Sequence, residues 1–118
     1  MARNDESRIQ AAIVDYIRTV APRCLVFSVP NGGLRTRAEA ALFKWTGVVA
    51  GIPDLVVLAP GAVALFIEVK TGGGRLSEAQ RGIIGIILDL GFCCEVCWSI
   101  PNVRDMFRRC GIETREAA

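Results

Sequence analysis

From Gly47 to Ile67 the chain is almost wholly apolar, yet Pro53, Asp54 and Pro60 interrupt it together with three glycines. A membrane-spanning helix needs about 20 predominantly apolar residues and tolerates such breaks poorly. The stretch reads instead as two short apolar strands, Leu55 to Leu58 and Val63 to Val69, joined through Ala-Pro-Gly-Ala. Strands this close in sequence form an antiparallel hairpin. A hairpin that is apolar on both faces has to be covered on both, which calls for helices around a sheet. At 118 residues the chain has room for one such domain, expected to span residues 1–118 with a core from about 6 to 110.

The flanking segments supply the helices. Ile9, Ile13, Ile17 and Val20 recur at helical spacing over residues 6–20, and Ala21-Pro22 ends that run. Cys24 to Val29 is a short strand that stops at the turn Pro30-Asn31-Gly32-Gly33. Thr36 to Trp45 resembles a helix, with Arg35, Arg37 and Lys44 on or beside it, and a glycine-punctuated loop follows to Pro53. After the loop Thr71-Gly72-Gly73-Gly74, Ser77 opens a helix that runs to Leu90 and closes at Gly91. Ser77-Glu78-Ala79-Gln80 is a capping box, in which the Ser77 hydroxyl and the Gln80 side chain satisfy the first amides. Phe92 to Trp98 is a fourth strand, a last helix reaches Cys110, and residues 113–118 read as a frayed tail. The order α-β-α-β-β-α-β-α predicts an α/β fold with one mixed sheet flanked by helices. Ile83, Ile84, Ile86, Ile87 and Leu88 surround their helix with apolar surface, and Gly82 and Gly85 permit close approach. Deep core is the favoured reading of that helix, with a dimer seam as the alternative.

Composition narrows the chemistry. The chain has no histidine, which removes Ser-His-Asp and Cys-His nucleophiles and His-ligated zinc. Carboxylates, lysine, hydroxyls or thiols must do the work of any enzyme built on it. Net charge is only +2, so polyanion binding has to come from a local patch. Of the 14 basic residues most are arginine, the better partner for phosphate. Five cysteines, three of them within Cys93 to Cys97, point to reduced thiols in a cytoplasm. Cys94 and Cys97 lie on opposite faces of a strand, so they read as small core residues and not as half a zinc site. The polar start lacks the apolar region of a signal peptide, and no membrane association is expected.

The hairpin gathers acids at one end. In the second strand Ala64, Phe66, Glu68 and Lys70 share one face, and Leu65, Ile67 and Val69 the other. If Leu58 pairs with Ala64, Asp54 lies opposite Glu68, with Lys70 next along; a register one residue tighter leaves Glu68 adjacent. Like charges so close destabilise the fold unless a cation is present, and two oxygen-rich ligands beside open space suit magnesium. Glu6 lies within roughly 60° of the apolar stripe on the first helix, so it either joins this cluster or serves as a favourable acid at a helix start.

Asp54, Glu68 and Lys70 resemble the Pro-Asp…(Asp/Glu)-x-Lys nuclease superfamily. With Glu6 and Gln10, Pro30-Asn31-Gly32-Gly33, Gly47 to Leu55, Glu68-Val69-Lys70-Thr71 and Gly74 to Gln80, the string resembles the virus-type replication-repair nuclease (VRR-NUC) domain of that superfamily, in its short stand-alone phage and bacterial form. The resemblance covers about Glu6 to Trp98. It implies a restriction-endonuclease-like core with Mg²⁺ or Mn²⁺ held by Glu6, Asp54, Glu68 and the Val69 backbone carbonyl. Lys70 and Gln80 complete the implied catalytic set. It further implies a homodimer that cuts branched DNA such as four-way (Holliday) junctions in a bacterial or phage-infected cytoplasm; flap cutting, nicking, or an inactive binding module are the alternatives. Asn31, Gly32, Arg35, Arg37, Lys44 and Arg75 are the candidate DNA contacts. No basic recognition helix or finger is visible, so contact through phosphates and DNA shape is favoured over base readout.

Overall fold

A computed structural model describes residues 2–30 and 36–116. The elements are α1 (Ala2–Val20), β1 (Leu25–Ser28), α2 (Arg37–Trp45), β2 (Leu55–Ala59), β3 (Val63–Val69), α3 (Glu78–Asp89), β4 (Cys93–Cys97) and α4 (Ile100–Arg109), in the order the sequence predicts. The four strands form one sheet in the order β1-β2-β3-β4. β1–β2 and β2–β3 are antiparallel, whereas β3 and β4 run parallel. A parallel neighbour requires a crossover, which α3 provides. The sheet is therefore mixed, and the end of β3 and the start of α3 lie at the same end of it.

The alternation in β3 sorts its residues as expected. Leu65, Ile67 and Val69 are fully buried against Ile13 and Ile17 of α1 and Val103, Met106 and Phe107 of α4. The opposite face is only partly covered. Phe66 meets Phe92 edge to face, with ring centroids 5.7 Å apart, while the cross-strand pair Leu25 and Leu58 is exposed.

The apolar α3 departs from the core reading. Of its residues Ile87 alone is buried, and Ile86 (56%) and Leu88 (50%) are exposed. The physical reason is the packing: α3 rests against β4, and among the described residues no other helix or strand covers its outer side. Likewise α2, well capped by Thr36 and Glu39 in a second capping box, buries none of its residues and packs against no other helix or strand among the described residues. No helix among the described residues is long and apolar enough to cross a membrane.

The end of the chain also corrects the frayed-tail expectation. Tyr16 Oη donates to Glu116 Oε2 (2.8 Å), and Arg104 grips the same carboxylate through Nε and Nη2, each at 3.1 Å. Arg115 donates from its backbone to the Val20 carbonyl (2.8 Å) and from its side chain to that of Thr19 (3.0 Å). The tail thus straps α4 to α1 as far as residue 116.

Candidate active site

The observed hairpin register pairs Leu58 with Ala64 and Leu55 with Ile67, which sets Asp54 across from Glu68. Asp54 is fixed from two sides. Its carbonyl accepts from the Val29 amide (2.9 Å), and its carboxylate Oδ2 accepts from the Val69 amide (2.8 Å). Glu68, one residue earlier, is 1% exposed, the one buried charged residue among those described. Its two oxygens have different surroundings. Oε2 accepts from Gln80 Nε2 at 3.1 Å and faces Lys70 Nζ at 3.8 Å. Oε1 is buried with no hydrogen-bond partner.

This environment is costly for a charge. Burial, reinforced by the charge and hydrogen bonding of Asp54, pushes the Glu68 carboxyl up to about 8; Lys70 pulls it down, and Glu6 adds a smaller push upward. Without a cation the Glu68 carboxyl holds its proton near neutral pH beside Asp54; once ionised, its buried Oε1 has no protein donor, and a hard divalent cation between Asp54 and Glu68 would take the place of that proton. The donor set, carboxylate oxygens with a lysine close by, fits such an ion. Glu6, half-buried on α1, is near enough to be felt by Glu68. Even so, among the described residues no three Asp, Glu, Cys or His stand together as a ready-made cluster.

Gln80 has a double task. Its Oε1 accepts from the Ser77 amide (2.8 Å) and closes the capping box, while its Nε2 reaches Glu68. The cap and the contact with Glu68 are thus made at once, each by a different end of one amide. Sequence reasoning passed over Gly51, which stands at φ +87° with its α-carbon against the backbone of Ala79 and Gln80. The signal for it was a glycine two residues before Pro53-Asp54.

Of the candidate DNA contacts, Arg37, Lys44 and Arg75 are exposed and paired with no carboxylate among the described residues. Arg75 lies in the loop between Lys70 and the start of α3; Arg37 and Lys44 lie on α2. Asn31, Gly32 and Arg35 fall outside the described residues. The five cysteines are free thiols, and burial pushes Cys94 up to about 11 and Cys97 up to about 12, which makes both poor nucleophiles.

Two acids and a lysine at the end of a mixed sheet, with a glutamine brought in by the next helix, match the residue pattern of the Pro-Asp…(Asp/Glu)-x-Lys nucleases. The VRR-NUC domain model matches residues 2–101, and the chain belongs to that family. A solved structure described as a VRR_NUC domain protein is 28% identical, covering 88% of this chain and 85% of its own, with a TM-score of 0.69. A second, described as a VRR_NUC domain, shares the fold at 22% identity over 88% of this chain and 95% of its own, with a TM-score of 0.62. No curated protein matches significantly. The protein is thus a nuclease-type hydrolase, and a nuclease domain of this kind implies a DNA substrate.

Proposed function

We propose that this chain is a metal-dependent, structure-selective endodeoxyribonuclease that cuts branched DNA, with four-way junctions as its preferred substrate. The observation that carries the reading is the buried Glu68 oxygen without a partner, set beside Asp54, Lys70 and Gln80. Asp54 and Glu68 would hold Mg²⁺ or Mn²⁺, with Glu6 and the Val69 carbonyl as further ligands. When bound, such an ion polarises the scissile phosphate and makes water a better nucleophile. Lys70, held by Glu68 at the rim, orients the attacking water or offsets charge gathering on the phosphate. Gln80 keeps Glu68 turned so that one of its oxygens stays open. Asn31, Gly32, Arg35, Arg37, Lys44 and Arg75 would grip the DNA backbone, so binding weakens steeply with salt. The free thiols suit the reducing cytoplasm of a bacterial or phage-infected cell.

The test is a panel of linear duplex, flap, splayed arm and four-way junction, each with Mg²⁺, Mn²⁺ or EDTA. We expect paired nicks in the junction only, with either cation, and none in EDTA. Asp54→Ala should lower the cleavage rate by about 10³-fold or more while leaving junction binding in place. Cutting of flaps in preference to junctions would favour the flap-nuclease alternative, and no metal-dependent cutting at all would leave an inactive binding module.

Paired nicks need two sites, which a twofold dimer supplies. Support for a second copy comes from α2, which packs against no other helix or strand among the described residues and displays Leu42 and Trp45 (85% exposed), with Val48 and Val49 exposed just after it. Apolar surface of this kind marks an interface. Light scattering should give twice the chain mass at micromolar concentration, and Trp45→Glu should shift the protein to monomer. A wild-type monomer under those conditions would end the paired-nick model.

A further inference from the structure

We propose that Gly51 is a positioning residue: the absence of its side chain sets the separation at which Gln80 reaches Glu68, and so decides which Glu68 oxygen remains open. This rests on the nuclease reading for its consequence in catalysis, but its geometry stands without it.

A methyl group on Gly51 would lie 2.5 Å from both the carbonyl carbon and the carbonyl oxygen of Ala79, and 2.8 Å from the Gln80 amide nitrogen. Those are backbone atoms in the first turn of α3, so the contact cannot be relieved by turning a side chain; the helix start or the loop must move. Ala79 and Gln80 are the second and third residues after the N-cap Ser77, and Gln80 is the residue whose side chain spans from that cap to Glu68. On the other side of the contact, Gly51 is three residues from Asp54, which is itself pinned to Val69. The loop before β2 and the first turn of α3 therefore touch at Gly51 with no side chain between them. Each carries one group of the site, and β3 with Glu68 lies beside both. A 3.1 Å bond from Gln80 Nε2 leaves little tolerance, since a hydrogen bond is lost within about half an ångström of stretch.

Gly51 also has positive φ, and a substitution there meets backbone strain in addition to the contact. Gly61, in the β2–β3 turn, separates the two effects. Its φ is +85° against +87° for Gly51, but nothing lies within 4 Å of the place its side chain would occupy. Gly61→Ala therefore reports strain alone, and Gly51→Ala reports strain plus displacement of α3.

The experiment compares the two variants by melting, by NMR and by junction cleavage. The chain has two glutamines, Gln10 and Gln80, so the Gln80 side-chain amide pair is identified by its loss in Gln80→Ala. We expect both glycine variants to melt lower than wild type. In Gly51→Ala alone the Gln80 amide signals should move to the position of a free amide. Its turnover should fall about 10²-fold, the scale of an ångström-sized misplacement, while KM for the junction stays within about two-fold. Gly61→Ala should cleave at the wild-type rate. Adding Gln80→Ala to Gly51→Ala should cost nothing further, because both act through the same amide. The proposal is overturned if the Gln80 signals stay in place in Gly51→Ala, or if the two substitutions multiply in full. Should wild type cut no DNA, the nuclease reading fails while the amide signals still decide the positioning role. Should Gly51→Ala fail to fold, nuclear Overhauser contacts from the Gly51 α-protons to the Gln80 amide proton in wild type decide it, and their absence overturns it.

Discussion

Glu68→Gln is expected to abolish cleavage and, in the same step, to make the cation-free protein more stable at pH 8. The loss of activity should reach about 10³-fold or more, because a carboxylate that would hold the ion becomes a neutral amide. The stability gain follows from where the Glu68 proton sits. Its carboxyl ionises near 4.5 when unfolded and at about 8 when folded, chiefly because of burial. Between those values the folded state holds a proton that the unfolded state has released. Stability therefore falls as pH rises through that window, and above pH 8 the full cost of the buried charge is present. That cost is on the order of a few kcal/mol. Glutamine never ionises, so the variant's melting curve should be flat over the window and lie higher at pH 8 by about 5 °C or more. Mg²⁺ or Mn²⁺ should raise the wild-type midpoint at pH 8 and leave that of Glu68→Gln unchanged. Parallel pH profiles for the two proteins would show that Glu68 carries no such burden.

Phe107→Ala should be the most damaging of the single core substitutions. Phe107 is 1% exposed in the last turns of α4, packed with Met106 and Val103 against the sheet and α1. Truncating such a ring costs about 3–5 kcal/mol. A domain of this size has about 5–15 kcal/mol in all. The variant should unfold at a much lower urea midpoint with an unchanged m-value. Arg108→Ala, one residue on and largely exposed, should lie within about 0.5 kcal/mol of wild type. The comparison matters because Phe107 lies beyond residues 2–101, the span of the family match. A loss below about 1 kcal/mol would mean that α4 is an appendage and not part of the core.

Much of this was legible in the sequence, for reasons that can be traced residue by residue. Ile9, Ile13 and Ile17 announce α1 because a helix repeats every 3.6 residues, and the turn after Leu58 limits which residue of β3 meets Asp54. That count leaves two registers, each of which brings Asp54 beside Glu68, and the observed one sets them opposite each other. The exposure of Ile86 and Leu88 does not follow, because a helix that is apolar all round gives no sign of which side its chain will cover. Nor does the pinned tail, since Tyr16 and Glu116 are 100 residues apart and a polar C-terminal run has no period to read. The contact at Gly51 is of the same kind. Glycine marks a place where backbones can meet, but which backbone arrives is decided by the packing of α3.

The connections between strands set an order of assembly. β2 and β3 are neighbours in sequence, joined by a three-residue link, residues 60–62. Such hairpins close in about 1–10 μs. β1 pairs with the other edge of β2, but residues 29–54 intervene, and α2 within them packs against no other helix or strand among the described residues. Closing that longer loop costs more entropy before any pairing rewards it. β1 is thus expected to dock after the β2–β3 hairpin has closed, and until it does, β2 presents an open edge that the β1 of a second molecule can fill. Crowded refolding invites strand exchange between chains, and dilute refolding keeps each β1 with its own sheet.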